Sequence, residues 1–530
     1  MRTRLFLSAK TRRKFVMAVK ILMLAMFFAI MIAVGIYCRR HTTDVGGFVL
    51  GGRNVGPWLT AFAYGTSYFS AVIFVGYAGQ FGWKFGIAST WIGIGNAVLG
   101  SLLAWIVLGR RTRLMTQHLH SSTMPDFFGR RYDSSALKIV ASVIVFIFLI
   151  PYTASLYNGL SRLFSMAFPG IDYTVCVIVM AVLTGVYVIA GGYMATAIND
   201  FIQGIIMIGG IIAVIAAVLG KNGGFMGSIE GLSRISDPSV SSLDGVFNSF
   251  FGPDPLGLLF VVSLTSLGTW GLPQMVQKFY AIESEKAISK GTVISTLFAV
   301  IVAGGCYFLG GFGRLFSDVV EHSASGAVVY DSIIPKMLEG LPDILIGIVI
   351  ILVLSASMST LSSLVLASSS TLTLDLIAEK KKNMSDNSKI LCMRVFIVIF
   401  IAISAVIAVV QVKFNIIFIA QMMGISWGAL AGSFLAPFIY GLYFKRTSRA
   451  SVWVSFIFGS GIMVLNMLLK SAFPTVLQSP INCGVVAMVA GLVIVPVVSL
   501  FTKPCNKADV DKIFTCYDKK VTVSAKKALD

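Results

Sequence analysis

Thirteen apolar runs of about 20 residues divide the chain, and a run of that length crosses roughly 30 Å of hydrocarbon as a helix. They fall near 15–38, 58–81, 87–109, 136–163, 172–190, 195–220, 253–277, 289–313, 343–373, 391–410, 414–442, 451–470 and 481–501. The class this predicts is an all-α membrane protein of about 13 transmembrane helices. Of the 530 residues, 56% are hydrophobic and 12% charged, where a soluble domain carries about 25% charged residues.

Lysine and arginine set the orientation. With the first span entering from outside, the inner loops and tail hold 25 basic residues and the outer loops after that span hold 8, which predicts a cytoplasmic C-terminus. Lys278 is counted among the inner residues and Lys84 among the outer. Residues 1–14 oppose this pattern with Arg2, Arg4, Lys10, Arg12, Arg13 and Lys14. Either the first span inserts the other way or translation begins at Met17, and the second is preferred. No A-x-A pattern follows the apolar run, so it is not read as a removed signal peptide.

The formal charge of +19 is spread over the loops of an apolar chain, which suits topology and anionic headgroups rather than nucleic acid. The seven cysteines lack paired C-x-x-C spacing and predict neither disulfides nor a zinc site. His41, His118, His120 and His322 lie in loops without H-E-x-x-H spacing, so no enzyme is expected.

Function has to come from departures from plain helix. Two stand out: "GTSYFSAVIFVGYAG" (65–79) in the second span and "SLGTWGLPQ" (266–274) in the seventh. Glycine or proline interrupts both, and both carry hydroxyls where a lipid-facing helix would carry leucine. Irregular backbone at membrane depth survives where it is buried in protein or lines a wet cavity. Each break opens a block of five spans, and an odd number forces two homologous blocks into opposite orientations. Such inverted repeats with paired broken helices point to a secondary transporter with its site near the midplane.

A third feature is "LSASMSTLSS" (354–363), six hydroxyls inside the ninth span. At 100° per residue Ser355, Ser359, Ser362 and Ser363 share one face, with Thr360 beside it. Serine and threonine can simply bond the carbonyl one turn back. A one-sided cluster facing the carbonyls of a broken helix would also give a hard cation such as sodium its oxygen ligands without a large fixed charge.

At these residues the chain resembles the sodium:solute symporter family. The resemblance is carried by "GGRNVGPWLTAF" (51–62), "TMPDFFGRRY" (123–132), "GGYMATAINDFIQG" (191–204), "LPQMVQKFYA" (272–281), "ASMSTLSSLVLASSSTLTLDL" (356–376) and "WGALAGSFLAPFIYGLY" (427–443). It implies a LeuT-like fold of inverted five-helix repeats with two broken helices. The expected division is 1–57, an extra helix and loop; 58–220, the first repeat; 221–252, an extracellular loop; 253–442, the second repeat; 443–501, two further helices; and 502–530, a cytoplasmic tail. The family's sodium site takes main-chain oxygens matching Thr66, Phe69 and Ala356 and hydroxyls matching Ser359 and Thr360. Some members bind a second sodium through serines matching Ser362 and Ser363, and an aspartate matching Asp200 completes that candidate site; an intramembrane carboxylate is functional by default.

The substrate pocket carries over less well. Proline carriers have aromatic residues at positions matching Thr265 and Thr269, which argues against proline. "YAGQFGWKFG" (77–86) is similar to members that carry organic acids. Tyr68, Ser70, Thr269, Trp270 and Gln421 are the expected lining, and Arg162 and Arg314 are expected as anchors at outer span ends. The expectation is a sodium-coupled symporter importing a small organic solute, an organic acid or carboxylate, working as a monomer in the plasma membrane among lipid with no nucleic-acid partner. The alternatives are a proton-coupled transporter or a substrate-sensing receptor on the same fold; only Lys503–Asp530 follow the last span, too few for a kinase module.

Overall fold

The computed structural model describes residues 9–39, 44–168, 170–323, 325–381, 383–414 and 419–518. The question of the start codon, and His41 with it, falls largely outside the described residues. Among those residues ten helices are long and apolar enough to cross a membrane, and a bent pair makes eleven. The other two of the thirteen expected spans are present in less regular form. The fifth is the short apolar helix Tyr173–Val186. The second is the part of the Val72–His118 run that precedes Gly86, together with the helix Pro57–Tyr68.

Glycine makes two of the turns. Gly86, at φ 60° and ψ −142°, ends Ala78–Phe85 and lets the chain reverse into the third span. Gly192, at φ 55° and ψ −150°, interrupts Tyr173–Lys221 and separates the fifth span from the sixth. A side chain at either place would be strained, because L-residues avoid this region of φ.

Both predicted breaks are present. Phe69 is extended (φ −98°, ψ 131°) and closes Pro57–Tyr68, after which a π-helical stretch, Val72–Tyr77, resumes the second span. In the seventh span Pro255–Leu267 runs through a tight turn, Gly268–Gly271, to an extended Leu272 and then to Pro273–Ala281. The two halves meet at 48°. Pro273 takes the first position of its half-helix, where a missing N–H costs nothing.

The remaining spans are Ser135–Ala167, Glu285–Gly310, Asp343–Thr371, Asp386–Phe414, Ile419–Tyr443, Arg449–Leu468 and Pro480–Phe501, with Ala9–Cys38 first in order. The ninth, Asp343–Thr371, packs against the sixth, the fourth and the first half of the second; the eleventh, Ile419–Tyr443, lies almost wholly buried between the fourth and the thirteenth. Close approach depends on small residues, as it must where lipid gives helices no hydrophobic reason to associate. A Cβ at Gly82 would lie 1.9 Å from the Gly310 carbonyl oxygen.

One end of the bundle is fastened by arginines. Arg53 Nη1 donates to the Tyr280 carbonyl at 3.2 Å, and the buried Arg131 donates through Nε to the Gly441 carbonyl at 2.9 Å. Val55 pairs with Ile282 as an isolated bridge. The segment after the last span folds back here: Arg111 stacks between the rings of Tyr443 and Tyr517, at 4.1 and 4.6 Å, and Lys445 meets Asp511 at 2.7 Å. At the other end Arg314 binds Asp237 at 2.9 Å and Arg162 lies 3.9 Å from Glu321.

Candidate functional site

The hydroxyl cluster of the ninth span faces the first break. Thr360 Oγ1 lies 3.1 Å from the Ala356 carbonyl oxygen, 3.2 Å from that of Phe69 and 3.4 Å from that of Thr66. Ser359 Oγ donates to Thr66 Oγ1 at 2.7 Å. The five positions matched to the family's sodium ligands therefore converge, although Thr66 and Thr360 are almost 300 residues apart in sequence. The cause is local. With Phe69 extended, the carbonyls of Thr66 and Phe69 have no helical N–H one turn ahead and turn toward the ninth span. All five residues are buried.

The residues matched to a second cation are arranged differently. Ser362 Oγ donates to the Ser359 carbonyl at 2.8 Å, turned into its own helix. Ser363 Oγ hydrogen-bonds Ser67 Oγ at 2.9 Å and accepts from Lys278 Nζ at 3.0 Å. Lys278 also lies 3.8 Å from Asp200, both side chains being almost fully buried. Lys278 is thus no loop residue, as the orientation count took it to be: it sits on Pro273–Ala281, the half-helix that the second break turns into the core.

Of the expected lining residues, Tyr68 donates to the Thr265 carbonyl, and Trp270 Nε1 donates to the Leu99 carbonyl at 3.0 Å. Thr269 spends its hydroxyl on the Ser266 carbonyl at 2.7 Å, and Gln421 lies half-buried at the start of the eleventh span. Ser70 Oγ is buried without a hydrogen-bond partner. Sequence reasoning missed what surrounds it. Tyr152 lies against Ser70 and Trp427, Tyr307 against Asn96 and Tyr77. The Trp427 ring stands 6.1 Å from that of Tyr68 and 5.8 Å from that of Tyr152. The Tyr77, Tyr152 and Tyr307 hydroxyls, Asn96 Nδ2 and Trp427 Nε1 are, like Ser70 Oγ, buried without a well-formed hydrogen bond, and what polar neighbours they have belong to this same cluster. Pro151, inside the fourth span beside Tyr152, is the one signal that could have drawn attention to that stretch.

Two broken helices, a clustered set of neutral oxygens at the first break and a buried cluster of polar and aromatic side chains beside it define a cation-coupled secondary transporter. The pattern of the Sodium:solute symporter family matches residues 48–459. The chain belongs to that family and is a multi-pass, sodium-coupled symporter rather than an enzyme. It is 26% identical to the osmoregulated proline transporter OpuE of Bacillus subtilis (strain 168), over 92% of this chain and 96% of that protein. It is 28% identical to a sodium/proline symporter of Staphylococcus aureus (strain NCTC 8325 / PS 47), covering 84% and 85%. In three dimensions it is similar to a Na+-coupled sialic acid symporter solved in a substrate-bound outward-open state, with TM-score 0.69 at 18% identity, covering 92% of this chain and 99% of that one. That likeness establishes the LeuT-like fold.

Proposed function

We propose that the protein couples inward sodium movement to uptake of a small, electrically neutral amino-acid-like solute, proline first, across the plasma membrane by alternating access. The observation that carries the coupling is the position of Thr360 Oγ1 within 3.4 Å of three main-chain carbonyl oxygens from two helices. Sodium there, held by Thr66, Phe69, Ala356, Ser359 and Thr360, would fix the broken second span against the ninth and complete a solute chamber, which we take to be the polar and aromatic cluster around Ser70.

The solute class rests on the chamber. Its unpaired polar atoms belong to Ser70, Tyr77, Asn96, Tyr152, Tyr307 and Trp427, none of them charged. Leaving such groups unpaired costs about 1–3 kcal/mol each, and a compact zwitterion between aromatic faces would satisfy several at once. The organic-acid expectation gives way accordingly: both named relatives carry proline, and no cation is among the chamber residues. Thr265 does replace an aromatic position, but its hydroxyl is engaged with Asn96 Oδ1 at 3.0 Å, and Tyr68, Tyr152 and Trp427 supply aromatic walls instead. We place the C-terminus and the arginine-fastened end in the cytoplasm from the charge bias, read 58–220 and 253–442 as the inverted repeats, and take one chain as the working unit.

Uptake of radiolabelled L-proline into proteoliposomes tests the reading. Saturable uptake driven by a sodium gradient and absent under a potassium or proton gradient is expected. Sodium-dependent thermal stabilisation by carboxylates but not by proline would return the solute to the organic acids.

A further inference from the structure

Lys278 occupies the ground where a second coupling cation would bind. Three elements meet at its ammonium: the sixth span through Asp200, the ninth through Ser363, and its own half-helix; Ser67, from the first half of the second span, joins them through its hydrogen bond with Ser363. Nζ lies 3.0 Å from Ser363 Oγ, 3.8 Å from Asp200 Oδ2 and 5.2 Å from the Tyr193 ring centre. The Asp200 carboxylate is buried with the Ser359 hydroxyl close by, and the charge that faces it is the Lys278 ammonium. A buried charge without a partner is strongly unfavourable.

We propose that Lys278 is a tethered cation that stands in for a second sodium, so that one sodium crosses with each solute. The inference rests on the sodium-coupled reading and deepens it. A carboxylate and two serine hydroxyls offer one negative charge and hard oxygen donors, which suits one monovalent cation. Two cations a few ångströms apart in this low-dielectric setting would repel, so ammonium and sodium exclude one another. The tether also decides the transport outcome. A free ion leaves with the solute and carries charge across, whereas Lys278 stays with Pro273–Ala281. It is a positioning residue, holding that half-helix to the ninth span three residues from Thr360.

Counting sodium sites decides the matter without knowledge of the solute. Equilibrium binding of radioactive sodium to the purified full chain in detergent should give one saturable site in the wild type and two in Lys278→Ala, where Asp200 and Ser363 are freed for an ion. Asp200→Asn combined with Lys278→Ala should return the count to one. Two sites in the wild type, or one in a folded Lys278→Ala, would overturn the inference. No sodium binding in the wild type would strike the sodium-coupled reading itself, a different result. Should Lys278→Ala not fold, the wild-type count decides alone, with Asp200→Asn/Lys278→Gln as the folded control that keeps volume and removes both charges; two sites there would likewise overturn the proposal.

Discussion

Ser359 and Thr360 owe their importance to where their oxygens point. Both are fully buried, and exchanging the hydroxyl alone, for a hydrogen at Ser359 or a methyl at Thr360, changes the volume little and leaves the ninth span helical. Ser359→Ala and Thr360→Val should therefore each raise the sodium concentration for half-maximal transport by about tenfold, the loss of roughly 1.4 kcal/mol of ion binding, while the melting temperature without sodium stays close to wild type. Sodium titrations of uptake check this, and unchanged sodium dependence in both variants would remove the site. Asp331, in the loop before the ninth span, gives a residue-scale prediction of another kind. Burial pushes its carboxyl up to about 6 from 3.8, opposed by Arg162 and by the Ile419 N–H. The folded protein thus holds a proton that the unfolded chain releases, and this contribution to stability is full below about pH 4 and lost as pH rises through 6. Asp331→Asn keeps an oxygen for Ile419 and removes the slope. Its melting temperature should match wild type near pH 4 and exceed it at pH 7.5.

Among the elements, the breaks were legible in the sequence because glycine and proline announce them, and the hydroxyl cluster because helical periodicity places it on one face. Lys278 was not legible. "PQMVQKFYA" reads as the polar end of a span, and only its neighbours, Asp200 and Ser363, each about 80 residues away, make it a core residue. The chamber escaped for the same reason: Asn96, Tyr152, Tyr307 and Trp427 come from four different spans, and no periodicity within one helix says which buried faces converge. The Gly82–Gly310 contact is an element-scale feature with a measurable cost. Gly82→Ala would place a methyl 1.9 Å from a carbonyl oxygen, and overpacking of this kind costs about 1–3 kcal/mol or more. Purified Gly82→Ala should melt clearly below wild type, whereas Gly461→Ala, with nothing within 4 Å of its new methyl, should not.

For the whole molecule, coupling sets a ceiling. One sodium moving inward gains about 2.3 kcal/mol from a potential of about −100 mV, and a tenfold sodium gradient adds about 1.4 kcal/mol. Together, about 3.7 kcal/mol, these hold a neutral solute at an accumulation of roughly 500-fold. Proteoliposomes poised at that potential and gradient should approach this ratio and not pass it; accumulation far above it would require a second ion. The placement of Arg111 between Tyr443 and Tyr517 bears on the history of the chain as well as its shape. Tyr517 also hydrogen-bonds the carbonyl of Arg111 itself, 406 positions earlier, so the arginine waits through all of that intervening synthesis before its second ring arrives. The clasp is a stitch that can be tied only after the last span has emerged, and a chain released too soon would carry that arginine half-covered, a visible mark of unfinished manufacture.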